Sequence, residues 1–383
     1  MNILIYTHEF PPFQGGIATS SKMIADILSS DNNLMVCCPS YGEKTPLNNE
    51  KFITHRINFI GGKSFKKIPL AQYIYGLFKI KKIIKSFKPE KIFYLGEEAE
   101  IIGGLLNEKE IDQVVRIAGS GIESIIKSNS IKKILPKFLL KRLYKNSQYI
   151  IAVSKNTKKL MEQENDFFSK EKIKLIYNGI DKDFLDKDID LSLIAKFKES
   201  NETFIILTVS RLLPRKGQDH VIRALSKIKN KNIKYLCVGE GSHKEKYKSL
   251  VKSSNLENNV VFIGGIDRSD IHKYYDCADI FILCNRTWNS KIEGLPNVAI
   301  ESMARSTPVI GSKNSGTEEV IKDNINGYLV DPENIDDIAA KIKTAFSDKK
   351  RLKTMGDSAK IHIEENFSFK EMKSNYLRLF CNE

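Results

Sequence analysis

Short apolar runs that recur with helical stretches between them limit most strongly what this chain can fold into. In the first half they fall at residues 3–7, 34–38, 52–57, 91–95, 113–117 and 148–153. Uniformly apolar strands separated by helices belong to parallel sheets covered on both faces. A polar, charged stretch at 181–199 interrupts the series and reads as a linker. The pattern then starts again at 204–210 and continues at 235–238, 260–263, 280–283, 308–310 and 327–330. With 383 residues the chain is too long for one ordinary domain. The expected fold is therefore α/β, with two tandem Rossmann-like domains, 1–185 and 186–367, facing each other across a cleft. Loops at the C-terminal strand ends would line that cleft.

Several classes are excluded early. Residues 1–6 read as a buried strand and not a signal peptide, and no apolar run approaches the ~18–20 residues needed to cross a bilayer. The six cysteines show neither a CxxC pair nor a metal-ligand spacing, so a reduced, cytoplasmic protein is expected. The net charge of +14 is concentrated in the first half, where 29 Lys and Arg stand against 19 Asp and Glu through Asp183. Two helical stretches there, 68–91 and 127–145, interleave lysines with aromatic and aliphatic residues. Such stretches suit an anionic membrane surface, and equally suit helices packed on a sheet with a solvated basic face. No nucleic-acid-binding motif accompanies the charge, so no nucleic-acid partner is expected.

The loops carry the chemistry. Gly15-Gly16 stands between the first strand and a helix, an arrangement shared by phosphate cradles and plain tight turns. After the strand at 204–210, Ser-Arg-Leu-Leu-Pro-Arg-Lys-Gly sets Arg211, Arg215 and Lys216 at a strand C-terminal end. Arginine offers a fork and lysine a point charge to phosphate oxygens. Gly239-Glu-Gly241 and Gly264-Gly265 end the next two strands and allow close backbone approach. Glu293 precedes a Gly-Leu-Pro turn, and Glu301 lies about one turn inside the helix that opens near Asn297. The free N–H groups at that helix start suit an anion. A capping and a solvated glutamate would account for the two carboxylates alone. Together, cations for a diphosphate and carboxylates for hydroxyls complement a nucleotide-sugar.

In this order the motifs resemble the family 4 glycosyltransferases, whose fold is GT-B. The resemblance is carried by Pro-Pro-x-x-Gly-Gly-Ile (11–17), Tyr-Asn-Gly-Ile-Asp (177–181), Ser-Arg-Leu…Arg-Lys-Gly (210–217) and Val-Gly-Glu-Gly (238–241). It continues through Glu-Gly-Leu-Pro-Asn-Val…Glu (293–301), Pro-Val-Ile (308–310) and Asn-Gly-Tyr-Leu-Val (326–330), and spans nearly the whole chain. It implies that Arg211 and Lys216 hold the donor diphosphate and stabilise the leaving charge, while Glu293 hydrogen-bonds the donor sugar. Main-chain N–H groups of Leu295, Asn297 and Val298 would help, Glu301 would bind the ribose, Ile263 and Gly264 would lie near the base, and Gly16 would approach the diphosphate.

The resemblance further implies a retaining, metal-independent hexosyl transfer to a glycan or lipid-linked acceptor in surface polysaccharide or glycolipid synthesis, with no cofactor beyond the nucleotide-sugar. Residues 1–185 would bind the acceptor and 186–367 the donor, and residues 368–383 would rejoin the first domain. One departure stands out. Where many members carry His-Gly, this chain reads Arg116-Ile-Ala-Gly119 with Ala118 in the place of the His, so the sugar contact is either missing or supplied otherwise, by Arg116 or Ser120. Two other readings are a non-catalytic, membrane-associated nucleotide-binding protein of the same fold and a Rossmann oxidoreductase. The latter needs a GxGxxG after the first strand, which is absent.

Overall fold

The computed structural model describes residues 1–13, 15–40, 51–58, 71–118, 121–180, 182–198, 200, 202–288 and 294–380. The chain divides into two compact units: Met1–Tyr177 with the residues from Met372 on, and Asn178–Glu371.

The first unit is built on a seven-stranded parallel sheet. Its strands are β1 (Asn2–Thr7), β2 (Asn33–Pro39), β3 (Ile53–Ile57), β4 (Lys91–Leu95), β5 (Asp112–Ile117), β6 (Tyr149–Ala152) and β7 (Ile173–Leu175), in the order β3-β2-β1-β4-β5-β6-β7. Ile3, Leu4 and Ile5 on β1 and Ile92, Phe93 and Tyr94 on β4 are fully buried. That is why these strands read as unbroken apolar runs and not as alternating ones. Helices Glu97–Leu106 and Ile134–Asn146 pack closely on one another, because a Cβ at Gly104 would run into the Leu139 carbonyl. The second basic stretch is helical only from Ile131, through a 3-10 turn at Ile131–Lys133. The last described helix, Phe369–Phe380, brings Tyr376 and Phe380 against Phe93, with ring centroids 6.1 and 5.4 Å away.

The second unit carries a six-stranded parallel sheet in the order β10-β9-β8-β11-β12-β13. These strands are β8 (Phe204–Val209), β9 (Ile233–Val238), β10 (Val260–Gly264), β11 (Ile280–Leu283), β12 (Val309–Ser312) and β13 (Gly327–Val330). Strand order reverses between β8 and β11, so the loops leaving these two neighbours diverge and open a crevice at their C-terminal ends.

The polar stretch at 181–199 is not a linker. It contains helices Lys182–Leu185 and Leu191–Phe197, the second capped by Asp190, which accepts from the N–H groups of Ser192 and Leu193 at 3.1 Å each. Arg305 holds the first in place by donating to the carbonyls of Phe184, Leu185 and Lys187 at 3.2, 2.7 and 2.9 Å. Residues 178–185 thus go with the second unit, where the sequence put them with the first. Residues 368–371 do too: Ser368 bridges Ile180, and Phe369 N–H donates to the Ile180 carbonyl at 3.0 Å.

Candidate functional site

At the C-terminal end of β8 the chain enters a turn that its neighbours lock from three sides. Ser210 N–H donates to the Val238 carbonyl at 3.0 Å, Leu212 N–H to Glu240 at 3.0 Å, and His243 N–H to Leu212 at 3.2 Å. Gln218, itself buried, ties the Ser210 hydroxyl (2.7 Å) and the Arg211 carbonyl (3.2 Å) from below. The turn closes in a 3-10 segment, Pro214–Lys216, and ends on Gly217 at φ 76°. Only glycine fits that position: the dihedral is left-handed and a Cβ would strike the Cys284 carbonyl. Side chains on this turn are therefore presented by fixed backbone. Arg211 is exposed and, among the described residues, makes no side-chain hydrogen bond or ion pair; Lys216 is buried.

Across the crevice, the loop after β11 leads into helix Asn297–Ala304. Pro296 occupies its N-cap and supplies no side-chain cap, and the N–H groups of Leu295, Asn297 and Val298 meet no backbone acceptor among the described residues. The helix start is held by two packings. Gly316, in the loop after β12, lies flat on the Gly294 backbone, and Asn178 donates to the Asn297 side-chain oxygen at 2.6 Å. A fixed turn with cations and an uncapped helix start thus flank the same switch point, an arrangement suited to an anion.

Glu301 sits one turn inside this helix and is 2% exposed. Its Oε1 pairs with Arg268 Nη2 at 2.8 Å and its Oε2 accepts from the Tyr275 hydroxyl at 2.9 Å. The Glu301 charge raises Arg268 above its already high ordinary value; burial, then the Glu301 charge, pushes the Tyr275 hydroxyl well above its own. An ionised carboxylate has about four acceptor positions, and two are in use. Arg268 and Tyr275 were not singled out by the sequence, because both reach Glu301 from separate stretches that only the fold brings together. Ile263 and Gly264 end β10, where the Gly264 carbonyl accepts from Gly239 N–H at 2.7 Å.

The expected residues of the first unit are placed differently. Gly16 opens helix Gly16–Leu28 directly after the β1 loop and is exposed. Arg116, on β5, is instead an interior cation: it is 2% exposed, donates to the Ser20 hydroxyl at 3.3 Å and lies by Tyr376. A side chain so enclosed has no surface to offer a sugar. Ser120 and Glu293 lie outside the described residues. Among the described residues, no group of three His, Cys, Asp or Glu could hold a metal ion, and no helix is long and apolar enough to cross a membrane.

Residues 192–362 match the family model described as glycosyl transferases group 1, and residues 14–184 match glycosyltransferase family 4. An uncharacterized glycosyltransferase of Methanocaldococcus jannaschii is 31% identical over 240 residues, which is 60% of this chain and 59% of that protein's length. The GDP-mannose-dependent alpha-(1-6)-phosphatidylinositol monomannoside mannosyltransferase of Mycolicibacterium smegmatis is 23% identical over 387 residues, covering 96% of this chain and 95% of that one. Among solved structures, Anabaena HepE in complex with UDP matches over the full length of both chains, with a TM-score of 0.80 at 20% identity. That likeness is one of fold: two parallel-sheet α/β units of the GT-B type.

Proposed function

We propose that the chain, which belongs to the family 4 glycosyltransferases, moves a hexose from a nucleotide-diphosphate sugar to a glycan or lipid-linked saccharide, with retention at the anomeric carbon. The observation that carries this reading is the rim of the β8/β11 switch point: Arg211 and Lys216 on a locked turn after β8, and a helix start with uncapped N–H groups after β11. Donors fixed before reaction cost no reorganisation when charge develops on the leaving diphosphate. In this reading the bond from the anomeric carbon to the phosphate oxygen breaks as the acceptor oxygen bonds that carbon. The acceptor proton passes to the departing phosphate. Glu301 accepts from the ribose hydroxyls with its remaining lone pairs, Glu293 and the N–H groups of Leu295, Asn297 and Val298 hold the sugar, and Gly16 completes the diphosphate contact. No metal or further cofactor takes part.

Thermal unfolding with UDP, GDP and ADP, on wild type and Glu301→Ala, tests the donor class. A nucleotide at 100 times its Kd adds about 2.7 kcal/mol. The gain should appear for one nucleoside diphosphate and collapse in the variant; stabilisation by none of them would sink the proposal. The M. smegmatis relative is GDP-mannose-dependent and the Anabaena structure holds UDP, so all three nucleotides belong in the panel. NMR of the product anomer then separates retention from inversion.

The reading extends to a peripheral enzyme on the cytoplasmic face of an anionic membrane. It is supported by the surface of the first unit, where Ile131, Ile134, Leu135 and Phe138 are all exposed among Lys132, Lys133, Lys137 and Lys141. Apolar residues ringed by lysines suit a headgroup boundary, each nearby cation adding roughly 1 kcal/mol. Cosedimentation with phosphatidylserine vesicles, lost in Phe138→Ser/Leu135→Ser, is the expected result. Equal recovery of wild type and variant would remove the membrane from the proposal.

A further inference from the structure

The two partners of the Glu301 carboxylate come from one short segment of the chain and differ in what holds them. Tyr275 lies on helix Ile271–Cys277 and is fully buried. Its ring packs edge-on against Phe184, with centroids 6.3 Å apart, and against Phe281 at 5.8 Å. Its carbonyl accepts from the Thr307 hydroxyl at 2.8 Å, which ties it to the segment just past the helix that carries Glu301. Burial, reinforced by the Glu301 charge, keeps the phenol protonated, so its single hydrogen stays on Oε2.

Arg268 precedes that helix, in the loop after β10. Lys187 fixes the loop backbone by donating to the Ser269 carbonyl at 2.7 Å, but the Arg268 side chain is 48% exposed. Among the described residues this side chain makes no hydrogen bond or ion pair other than that with Glu301 Oε1. The contrast decides access. Glu301 is 2% exposed, so its two unused acceptor positions are closed to solvent in this structure. Tyr275 holds the interior side of the carboxylate and Arg268 the side toward solvent. A hydroxyl therefore reaches Glu301 only by moving the guanidinium aside. A half-exposed ion pair is weak enough to be exchanged, and a vicinal diol brings two O–H donors in place of the one N–H withdrawn.

We infer that the two partners of Glu301 have opposite roles: Tyr275 is a positioning residue that fixes the carboxylate for a ribose diol, and Arg268 is a cap that the diol displaces. The inference rests on the reading of Glu301 as the acceptor for the ribose hydroxyls; nothing else in that reading depends on Arg268 or Tyr275. It gives the two residues effects of opposite sign on nucleotide affinity. Removing the cap spares the nucleotide the work of displacing it. Removing the phenol lets the carboxylate turn away from the orientation the diol needs.

The test is calorimetric titration of the full chain with UDP and GDP, on wild type, Arg268→Ala, Tyr275→Phe and Glu301→Gln, and on each of the first two combined with the third. Cooperative unfolding of every variant establishes that it is folded. Arg268→Ala should bind the nucleotide about two- to fivefold tighter, the factor a half-exposed pair can withhold. Tyr275→Phe should bind it about three- to tenfold weaker, the factor of one orienting hydrogen bond. Both effects should shrink to within twofold in the Glu301→Gln background, because they act through that carboxylate. Lost stability alone, with the affinity of either single variant within twofold of wild type, would overturn the inference. So would weaker binding by Arg268→Ala, tighter binding by Tyr275→Phe, or effects that persist without Glu301. In these cases weakened binding by Glu301→Gln leaves the ribose reading standing. Wild-type affinity in Glu301→Gln, or no binding of either nucleotide by any of the proteins, removes that reading together with the inference.

Discussion

Helix Asn297–Ala304 is flanked by two arginine–carboxylate pairs of opposite character. Just beyond its C-terminal end, Arg305 and Asp276 are both nearly fully buried, joined through Nε at 2.7 Å and Nη2 at 2.6 Å, and the remaining guanidinium N–H groups go to three carbonyls. Inside the helix, Glu301 is just as buried, but its partner Arg268 is about half exposed and contributes one bond. A pair with every donor spent inside the protein is a bolt. A pair with one arm in water can exchange that partner for a ligand. The same pairing of an arginine with a carboxylate thus divides structure from binding by how completely each is enclosed.

Arg305→Ala should break the first pair at the greatest cost, about 3–5 kcal/mol in urea unfolding, because it strands Asp276 and frees helix Lys182–Leu185. A loss under ~1 kcal/mol would erase the distinction. Glu100 sharpens it from the other side: it is a buried carboxyl with no cation paired to it among the described residues, hydrogen-bonded by Tyr144 at 2.6 Å, and burial lifts it to about 8 from an ordinary 4.5. Folded Glu100 keeps its proton where the unfolded chain has lost it, so stability falls as pH rises from about 4.5 to about 8. Glu100→Gln should flatten that slope and stabilise the protein by about 1–3 kcal/mol at pH 8, with little change at pH 4.5. An unchanged slope would mean that Glu100 is paired or hydrated in solution.

Glu301→Gln comes next. It should cost roughly 1–2 kcal/mol of stability but lower nucleoside diphosphate affinity by at least tenfold in calorimetric titration. Arg268→Ala is expected to be the mildest, within about 1 kcal/mol as for a half-exposed pair, with nucleotide binding tighter. If Arg268→Ala destabilises as strongly as Arg305→Ala, Arg268 is a second bolt and not an exchangeable arm.

The strands were legible because a sheet covered on both faces demands continuous apolar runs: Ile3–Tyr6 of β1, Ile92–Leu95 of β4, Phe204–Leu207 of β8 and all of β11 are apolar and buried. The turn at 210–217 was legible for a different reason: Gly217 marks a left-handed dihedral that few other residues adopt without strain. What the residues could not disclose was partnership at long range. In sequence Arg116 is a candidate sugar contact at a strand end, yet in the fold it is buried and donates to Ser20 on helix Gly16–Leu28. The polar stretch at 181–199 has the composition of a linker, and only the carbonyl-seeking Arg305 and the Asp190 cap make it a pair of packed helices.

The last described helix bears on how the protein is made. Tyr376 and Phe380 fill the first unit beside Phe93, yet the ribosome reaches them only after all of the second unit has been synthesised. Domains usually fold in the order in which they emerge. Here the earlier unit waits with an open seat beside β4 while the later one can finish, so the nascent chain offers chaperones its N-terminal half longest.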